Sequence, residues 1–199
     1  LSRVGSAVLM SATLAPLDAY KSESGLDVLE DDGQTVESYV SSGRFDPANR
    51  ASLIADLPPF TYENQSGDVA EDYADAIADV VATTDGNVLV TMPSYRMGDW
   101  IADRLADHPQ VDLSASRIRA DEPSSDAETE RLKDWFFSGG KKVVATGLRG
   151  TLTTGVDYDG DKLAAVAVAG VPIRNLQSDY TTAIQTAYEG RYGDANGFE

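Results

Sequence analysis

Four short, valine-rich apolar runs restrict the possible folds of this 199-residue chain more than any other feature of its sequence. They occupy residues 7–10, 88–92, 143–145 and 163–171, and Ser, Pro or Gly follows each run within two positions. Continuous apolar runs of this length are typical of strands that are buried on both faces, as in a parallel sheet. The runs therefore predict a parallel β-sheet whose two faces are covered.

Segments with helical periodicity separate these runs. In residues 69–81 the apolar side chains recur three and four positions apart, which is the spacing of one helix face. Similar spacing marks residues 100–105, 132–137 and 180–188, and a cap signal at 124–126 precedes the second of these three. The alternation of strand and helix predicts an α/β fold, in which helices flank a parallel β-sheet on both faces.

The first part of the chain is less regular. Residues 26–33 are predicted to form a polar loop, and residues 35–40 and 51–54 extended segments that are separated by a turn. The sequence contains no internal repeat and no low-complexity linker. We therefore expect one α/β domain from residue 35 onward, preceded by a separate segment over residues 1–34.

The inventory of reactive side chains excludes several classes of protein. The chain has no cysteine and a single histidine, His108. A disulfide scaffold, a zinc finger, an iron–sulfur site within this chain and thiol catalysis are therefore excluded. No apolar run approaches the roughly 20 residues of a membrane span, and no targeting segment is visible, so we expect a cytoplasmic protein without a membrane partner.

Acidic side chains dominate the charge of the chain. It carries 33 Asp and Glu against 16 Lys and Arg, for a net charge of −17, and the acids are spread along its whole length. Such a surface repels itself in dilute buffer, and salt screens that repulsion. We interpret the composition as adaptation to a salty cytoplasm; the alternative is an ordinary acidic protein. The net charge by itself argues against nucleic acid, but in a salt-adapted protein the few remaining cations become the informative residues.

A self-contained catalytic motif is missing from the sequence. It contains no phosphate loop, no dinucleotide-binding glycine motif and no nucleophile elbow. The alternating carboxylates of residues 157–161 resemble a calcium loop, but Lys162 stands where that loop needs Gly and Val168 where it needs Glu. We expect a polar turn there and no metal ion.

Three segments place small hydroxyl residues or glycines directly after a predicted strand. They are residues 8–14, 88–95 and 147–161. Open α/β sheets bind ligands at the carboxyl ends of their strands, where backbone N–H groups and hydroxyls meet phosphate oxygens. Each segment taken alone favours the simpler interpretation of a tight strand-to-helix turn.

Four motifs nevertheless follow one another in an informative order. They are Ser-Ala-Thr-Leu at 11–14, Pro-Ser-Tyr at 93–95, a Gly-rich stretch that ends in Gly-Val-Asp-Tyr at 155–158, and Val-Ala-Gly-Val-Pro at 168–172. Together they resemble the C-terminal helicase region of the XPD/DinG family of superfamily 2 DNA helicases. The resemblance implies a second RecA-like motor domain over residues 35–199, truncated before motif VI. Residues 1–34 would then be the end of the first motor domain, with motif III and a linker.

The resemblance also implies roles for individual residues. Those expected to couple ATP hydrolysis to strand movement belong to motif III: Ser11, Ala12 and Thr13. Those expected to contact DNA belong to motifs IV and V: Ser94, Tyr95, Arg149 and Thr151. Those expected to contact the nucleotide belong to motif V: Gly155 and Asp157. Thr154 departs from the family pattern, which has Glu there, so a hydroxyl would replace a carboxylate.

The implied function is that of half of an ATP-dependent DNA helicase. Such an enzyme moves 5′ to 3′ along single-stranded DNA in DNA repair, as ATP hydrolysis opens and closes a cleft between two motor domains. The resemblance places most ligands of ATP and Mg²⁺, and any iron–sulfur cluster, in the first motor domain, which is the partner of this one. We therefore expect the isolated chain to lack a complete catalytic site, to bind no cofactor alone and to be inactive. The alternative is a non-catalytic α/β domain that binds nucleic acid or acts as a scaffold, with the motifs retained only as turns.

Overall fold

The computed structural model describes residues 5–11, 14–41, 46–122, 125–171 and 178–193. It divides the chain into two units, Leu1–Leu53 and Ile54–Glu199. This division separates the less regular first quarter of the chain from the part in which strands and helices alternate. The boundary predicted after residue 34 separates two motor domains by function, and it stays a prediction.

Two short helices form the regular secondary structure at the centre of the first unit. α1 (Leu17–Ser24) and α2 (Leu26–Asp31) meet at Gly25, whose φ of +71° lets its N–H reach carbonyls in the last turn of α1. The prediction of a polar loop over residues 26–33 is therefore wrong where α2 lies. A left-handed glycine ends one helix and allows the next to begin, which composition alone did not indicate.

Residues 7–10, predicted to form a buried strand, are irregular and exposed in the first unit. Val8 and Met10 are 83% and 86% exposed. A parallel strand needs a neighbour that pairs its backbone groups, and the described residues of this unit contain no strand. The prediction is therefore wrong for this chain. Ser11, which follows the run, is exposed, whereas Ala12 and Thr13 lie outside the described residues.

A four-stranded parallel sheet forms the centre of the second unit. Its strands are β1 (Val88–Met92), β2 (Ile118–Ala120), β3 (Val143–Gly147) and β4 (Ala165–Val168), in the spatial order β2-β3-β1-β4. Val90 of β1 lies opposite Ala145 of β3 and Ala167 of β4. The strands predicted from the last three apolar runs are confirmed. β2 was missed because it is three residues long and contains no apolar run.

Helices cover both faces of this sheet. They are α3 (Asp68–Thr83), α4 (Tyr95–Ala106) and α5 (Asp126–Phe137). A further helix, α6 (Asp179–Tyr192), follows β4 in the chain. Because successive strand residues point to opposite faces, Val88 and Val90 share a core with α3 and α4, whereas Leu89 shares one with Phe136 of α5. The predicted α/β fold, a RecA-like parallel sheet with helices on both faces, is confirmed. None of the helices in the described part of the chain has the length and apolarity to cross a membrane.

One face of β4 departs from the prediction that the strands are covered on both sides. Val166 and Val168 are 50% and 63% exposed. Their register partners are Leu89 and Thr91 of β1, so they belong to the face that α5 covers. The apolar cluster under α5 includes residues of β1 and β3 but none of β4. β4 is one of the two edge strands of the described sheet, and an edge strand receives less cover than the central strands.

Candidate functional site

A groove of about 740 Å³ opens at the carboxyl edge of the sheet. The segments that follow β1, β3 and β4 contribute to it, and so does the segment that precedes α3. Ligand sites of open parallel sheets lie at this edge, because the connecting segments diverge there and leave backbone groups unpaired. The groove is therefore the candidate functional site of the second unit.

Close backbone approaches shape the floor of this groove. The Leu148 N–H donates to the Met92 carbonyl at 2.7 Å, which extends the β1–β3 pairing to the end of both strands. Gly170 has a φ of +86°, and a side chain there would bring its Cβ within 3.1 Å of Pro93 Cγ. Larger residues at Gly170 would strain the backbone and push against Pro93. Gly170 therefore allows the segment after β4 to pack closely against Pro93 at the floor of the groove.

The segment before α3 forms one wall and is firmly anchored. Phe60 is 7% exposed, and its ring centroid lies 4.5 Å from that of Tyr73. The Tyr73 hydroxyl donates to the Pro58 carbonyl at 2.9 Å, and the Asn64 side-chain amide donates to the Pro59 carbonyl at 2.9 Å. These contacts hold residues 58–64 against α3 and fix the wall in place.

Ser94 and Tyr95, predicted from the motif after the second apolar run, lie together at the groove. Ser94 is the N-cap of α4, and its Oγ accepts a hydrogen bond from the Met97 N–H at 3.3 Å. A hydroxyl has one donor hydrogen and two acceptor lone pairs, so capping uses only part of its capacity. α4 begins at the groove, and the positive end of its helix dipole is therefore near any ligand bound there.

Arg149 lies in the same groove, on the loop after β3, with an exposed side chain. The loop is tied down on both sides of it. The Gly150 N–H donates to the Gly147 carbonyl at 2.7 Å, and the fully buried Leu152 belongs to the apolar cluster under α5. The backbone around Arg149 is therefore held in place beside the groove that this residue lines.

Asp121, at the end of β2, anchors the same loop and was missed by the sequence analysis. It is 1% exposed, and its Oδ2 accepts hydrogen bonds from the hydroxyls of Thr146 at 2.7 Å and Thr151 at 3.2 Å. Its Oδ1 has no hydrogen-bond partner among the described residues. The predicted DNA contact through Thr151 is untested, but the Thr151 hydroxyl is engaged within the protein. An acid directly after a short, half-exposed strand carried no signal that could have distinguished it from a surface residue.

The buried carboxylate also affects Tyr158, farther along the loop. Burial, and secondly the negative charge of Asp121, raise the pKa of Tyr158 to about 12. The Tyr158 hydroxyl donates to the Leu152 carbonyl at 2.6 Å. The phenol therefore keeps its proton up to about pH 12, and its hydrogen bond closes the loop between residues 152 and 158.

Gly155 and Asp157 lie on the exposed part of this loop and do not line the groove. Gly155 has a φ of +75°, which the turn requires. Val156 and Tyr158, on either side of Asp157, pack against the cluster under α5, so the carboxylate between them is directed outward. The nucleotide contacts implied for Gly155 and Asp157 stay predictions.

The charge of the groove contrasts with that of the chain. None of the described residues that line it is Asp or Glu, and Arg149 is the charged residue among them. The whole chain, by comparison, carries 33 acids in 199 residues. The groove thus combines one cation, hydroxyls and a helix N-terminus in a protein whose surface is otherwise strongly acidic, and it suits an anionic ligand.

A protein-family model matches the second unit of the chain. The family model described as "Helicase C-terminal domain" matches residues 77–198, which is more than half of the chain. The match begins within α3 and includes the sheet, the loop after β3 and α6. No curated protein matches the chain significantly.

Proposed function

Because the chain belongs to the helicase C-terminal domain family, we propose that it is the second RecA-like motor domain of an ATP-dependent DNA helicase of the XPD/DinG type. In this proposal the groove at the carboxyl edge of the sheet holds single-stranded DNA. The observation that carries the proposal is the absence of acids from the described lining of a groove that contains Arg149. DNA phosphates would be repelled by most of this surface but not there.

The contacts proposed for DNA follow from the donors at the groove. The Arg149 guanidinium donates charge-assisted hydrogen bonds to a phosphate, and Ser94 and the start of α4 add a hydroxyl and the positive end of a helix dipole. Tyr95 offers a ring for stacking; the alternative is that this half-buried ring only packs over the sheet edge. Thr151 would act through Asp121, by holding the loop that presents Arg149.

A high salt concentration reduces the repulsion between DNA phosphates and the acidic side chains of this protein. The screening length falls from about 10 Å at 0.1 M salt to about 3 Å at 1 M. Distant acids then contribute little to the potential at the groove. Salt also weakens phosphate binding in proportion to the number of cation–phosphate contacts, so a groove with one arginine loses less affinity than one with many. We propose that this chain works under such conditions.

The motor activity is proposed for the complete enzyme rather than for this chain alone. The sequence contains no phosphate loop, so we propose that the first motor domain supplies the loop and the Mg²⁺ ligands. Asp157 and Gly155 would then meet the nucleotide from the second domain, and Ser11, Ala12 and Thr13 would couple hydrolysis to movement. Translocation from 5′ to 3′, a role in DNA repair and an iron–sulfur cluster in the first domain belong to the same proposal.

Binding of single-stranded DNA to this chain tests the proposal. Fluorescence anisotropy of a labelled oligo(dT) would be measured with the wild-type chain, with Arg149→Ala and with Arg131→Ala, an exposed arginine on α5 outside the groove. Loss of one charge-assisted contact is expected to raise the Kd of the Arg149 variant about tenfold. The control is expected to bind like the wild type. Equal Kd values for both variants, or no binding by the wild type, would contradict the proposal.

A further inference from the structure

We propose that this groove contains a nucleobase subsite whose stacking platform is Tyr62. Tyr62 lines the groove on the wall before α3, and its side chain is 84% exposed. The inference rests on the proposed binding of single-stranded DNA and adds to it a contact with a base rather than with the phosphate backbone. Tyr62 lies outside residues 77–198, so the subsite would come from a segment that precedes the part matched by the family.

The exposure of Tyr62 is imposed by its neighbours. Phe60, two residues earlier, turns inward and packs against Tyr73, so the side chains of this short segment divide between core and groove. Tyr62 then begins a single 3₁₀ turn, Tyr62–Asn64, in which the Asn64 N–H donates to the Thr61 carbonyl at 3.1 Å. A flexible loop could bury an apolar ring by rearranging, but this turn is bonded at both ends.

The anchoring of the segment extends to α4. The Arg96 guanidinium donates to the Gln65 side-chain oxygen at 3.2 Å, which connects the end of this turn to the first turn of α4. Tyr95, the residue before Arg96, lines the groove as well. Tyr62 and Tyr95 therefore lie on two segments of the groove that this hydrogen bond connects.

The lining has the chemistry that single-stranded nucleic acid requires. Its aromatic residues are Phe60, Tyr62, Tyr73 and Tyr95, and its polar groups include the Arg149 guanidinium and the Ser94 hydroxyl. Aromatic rings stack on bases of any sequence, while cations and hydroxyls follow the phosphates. A volume of about 740 Å³ lies within the range of sites that enclose a small organic ligand. In this subsite a base stacks on Tyr62 and its phosphate lies near Arg149, so the ligand uses both the aromatic and the polar residues of the lining.

An exposed tyrosine elsewhere in the second unit does not share this setting. Tyr180 on α6 is 74% exposed, similar to Tyr62, but it does not line the groove. Isolated exposed aromatic residues are common on protein surfaces and need no function. What distinguishes Tyr62 is a fixed backbone, three further aromatic residues and an arginine in the same groove. Tyr180 is therefore a matched control for a test of stacking.

The test compares two probes that differ only in their bases. Labelled oligo(dT) of about 15 nucleotides and an abasic oligonucleotide of the same length would be titrated with the whole chain, in salt at which it is folded. Tyr62→Ala is expected to raise the Kd for oligo(dT) about five- to hundredfold, the effect of losing one base stack. The same variant is expected to bind the abasic probe like the wild type. Tyr62→Phe, which keeps the ring, is expected to restore the Kd for oligo(dT), and Tyr180→Ala to leave it unchanged.

Each outcome decides between the two proposals. If the wild type binds oligo(dT) and Tyr62→Ala binds it equally well, the base subsite is wrong while the DNA-binding function stands. An equal loss for oligo(dT) and for the abasic probe also overturns the subsite, since it shows an effect on the backbone contact or on the fold. Urea unfolding of the variant separates these two causes. If the wild type binds neither probe, both proposals fail.

Discussion

The Thr146 hydroxyl donates a 2.7 Å hydrogen bond to the Asp121 carboxylate, and this bond joins the end of β3 to the end of β2. Both side chains are buried, at 0% and 1% exposure. Thr151, on the following loop, donates to the same oxygen. One carboxylate thus connects two strands and the loop that presents Arg149 to the groove.

Asp121→Ala is expected to lower the free energy of unfolding by about 2–3 kcal/mol, because the buried Thr146 hydroxyl and the part-buried Thr151 hydroxyl lose a charged acceptor. Asp121→Asn keeps an acceptor oxygen and removes a buried charge, so a loss of about 1 kcal/mol or less is expected. Urea denaturation measures both values. If the bond to Thr146 carries the effect, Thr146→Val and Asp121→Ala will show coupling in a double-mutant cycle. Additive losses would contradict the arrangement described here.

Gly150→Ala tests how closely the loop lies on β3. A Cβ at this position would overlap Thr146 Oγ1 and lie 2.9 Å from the Gly147 carbonyl oxygen. The substitution is therefore expected to cost at least about 2 kcal/mol of unfolding free energy, since backbone or Thr146 must move. Gly190→Ala is the control: Gly190 lies within α6, where a Cβ meets no atom within 4 Å, and a gain of up to about 1 kcal/mol is expected. Similar midpoints for the two variants in urea would show that the loop is not packed in this way.

Where local sequence determines structure, the predictions held. The run at 88–92, apolar except for Thr91, became the fully buried strand β1, and the N-cap of α5 is Ser125, within the predicted cap. Three errors arose where neighbours decide the outcome. Residues 7–10 have a strand-like composition, but the described residues of their unit contain no strand that could pair with them. β4 was expected to be covered on both faces, but one face is exposed because the strand lies at an edge of the sheet. β2 was not predicted, because its pairing with β3, and not an apolar run, makes it a strand.

The residues of the candidate site likewise include some that the sequence predicted and some that it did not. Ser94, Tyr95 and Arg149 were predicted from the family resemblance of their motifs, and they lie in one groove because parallel strands bring their carboxyl ends to one edge. Tyr62 and Asp121 were not predicted. Tyr62 reaches the groove only because Phe60 packs on Tyr73, and Asp121 becomes a buried acceptor only when the loop after β3 covers it. Both depend on tertiary contacts that no short motif records.

The raised pKa of Tyr158 predicts a loss of stability in alkali. The folded chain keeps the phenol proton up to about pH 12. The unfolded chain releases it near the ordinary value of about 10. Between these values the native state binds more protons than the unfolded state, so the free energy of unfolding falls as pH rises from about 10 to about 12.

Tyr158→Phe has no proton to lose and is expected to show a shallower decline over that window. Its stability at neutral pH is expected to be lower by about 1 kcal/mol, because the bond to the Leu152 carbonyl is gone. Urea unfolding at several pH values measures both effects, with Tyr180→Phe as an exposed control. An equally steep decline in Tyr158→Phe and in the wild type would contradict the assignment.

Stability is expected to rise with salt. The 33 acids against 16 bases repel one another in dilute buffer, and molar KCl reduces the screening length to about 3 Å. Thermal unfolding should therefore show a Tm that increases steadily from low salt to molar KCl. A Tm that stays constant or falls would remove the argument for salt adaptation, although it would leave the groove and its lining unchanged.

The central claim is that single-stranded DNA lies in the groove at the carboxyl edge of the sheet, and hydrogen–deuterium exchange of the chain with and without saturating oligo(dT) tests it most directly. Bound DNA is expected to slow the exchange of backbone amides in the segments that contribute to the groove, residues 60–65, 94–95 and 147–149. Exchange in α5, which covers the sheet outside the groove, is expected to stay unchanged. Protection confined to α5 or to other surfaces, with no change at residues 60–65 and 147–149, would contradict the claim.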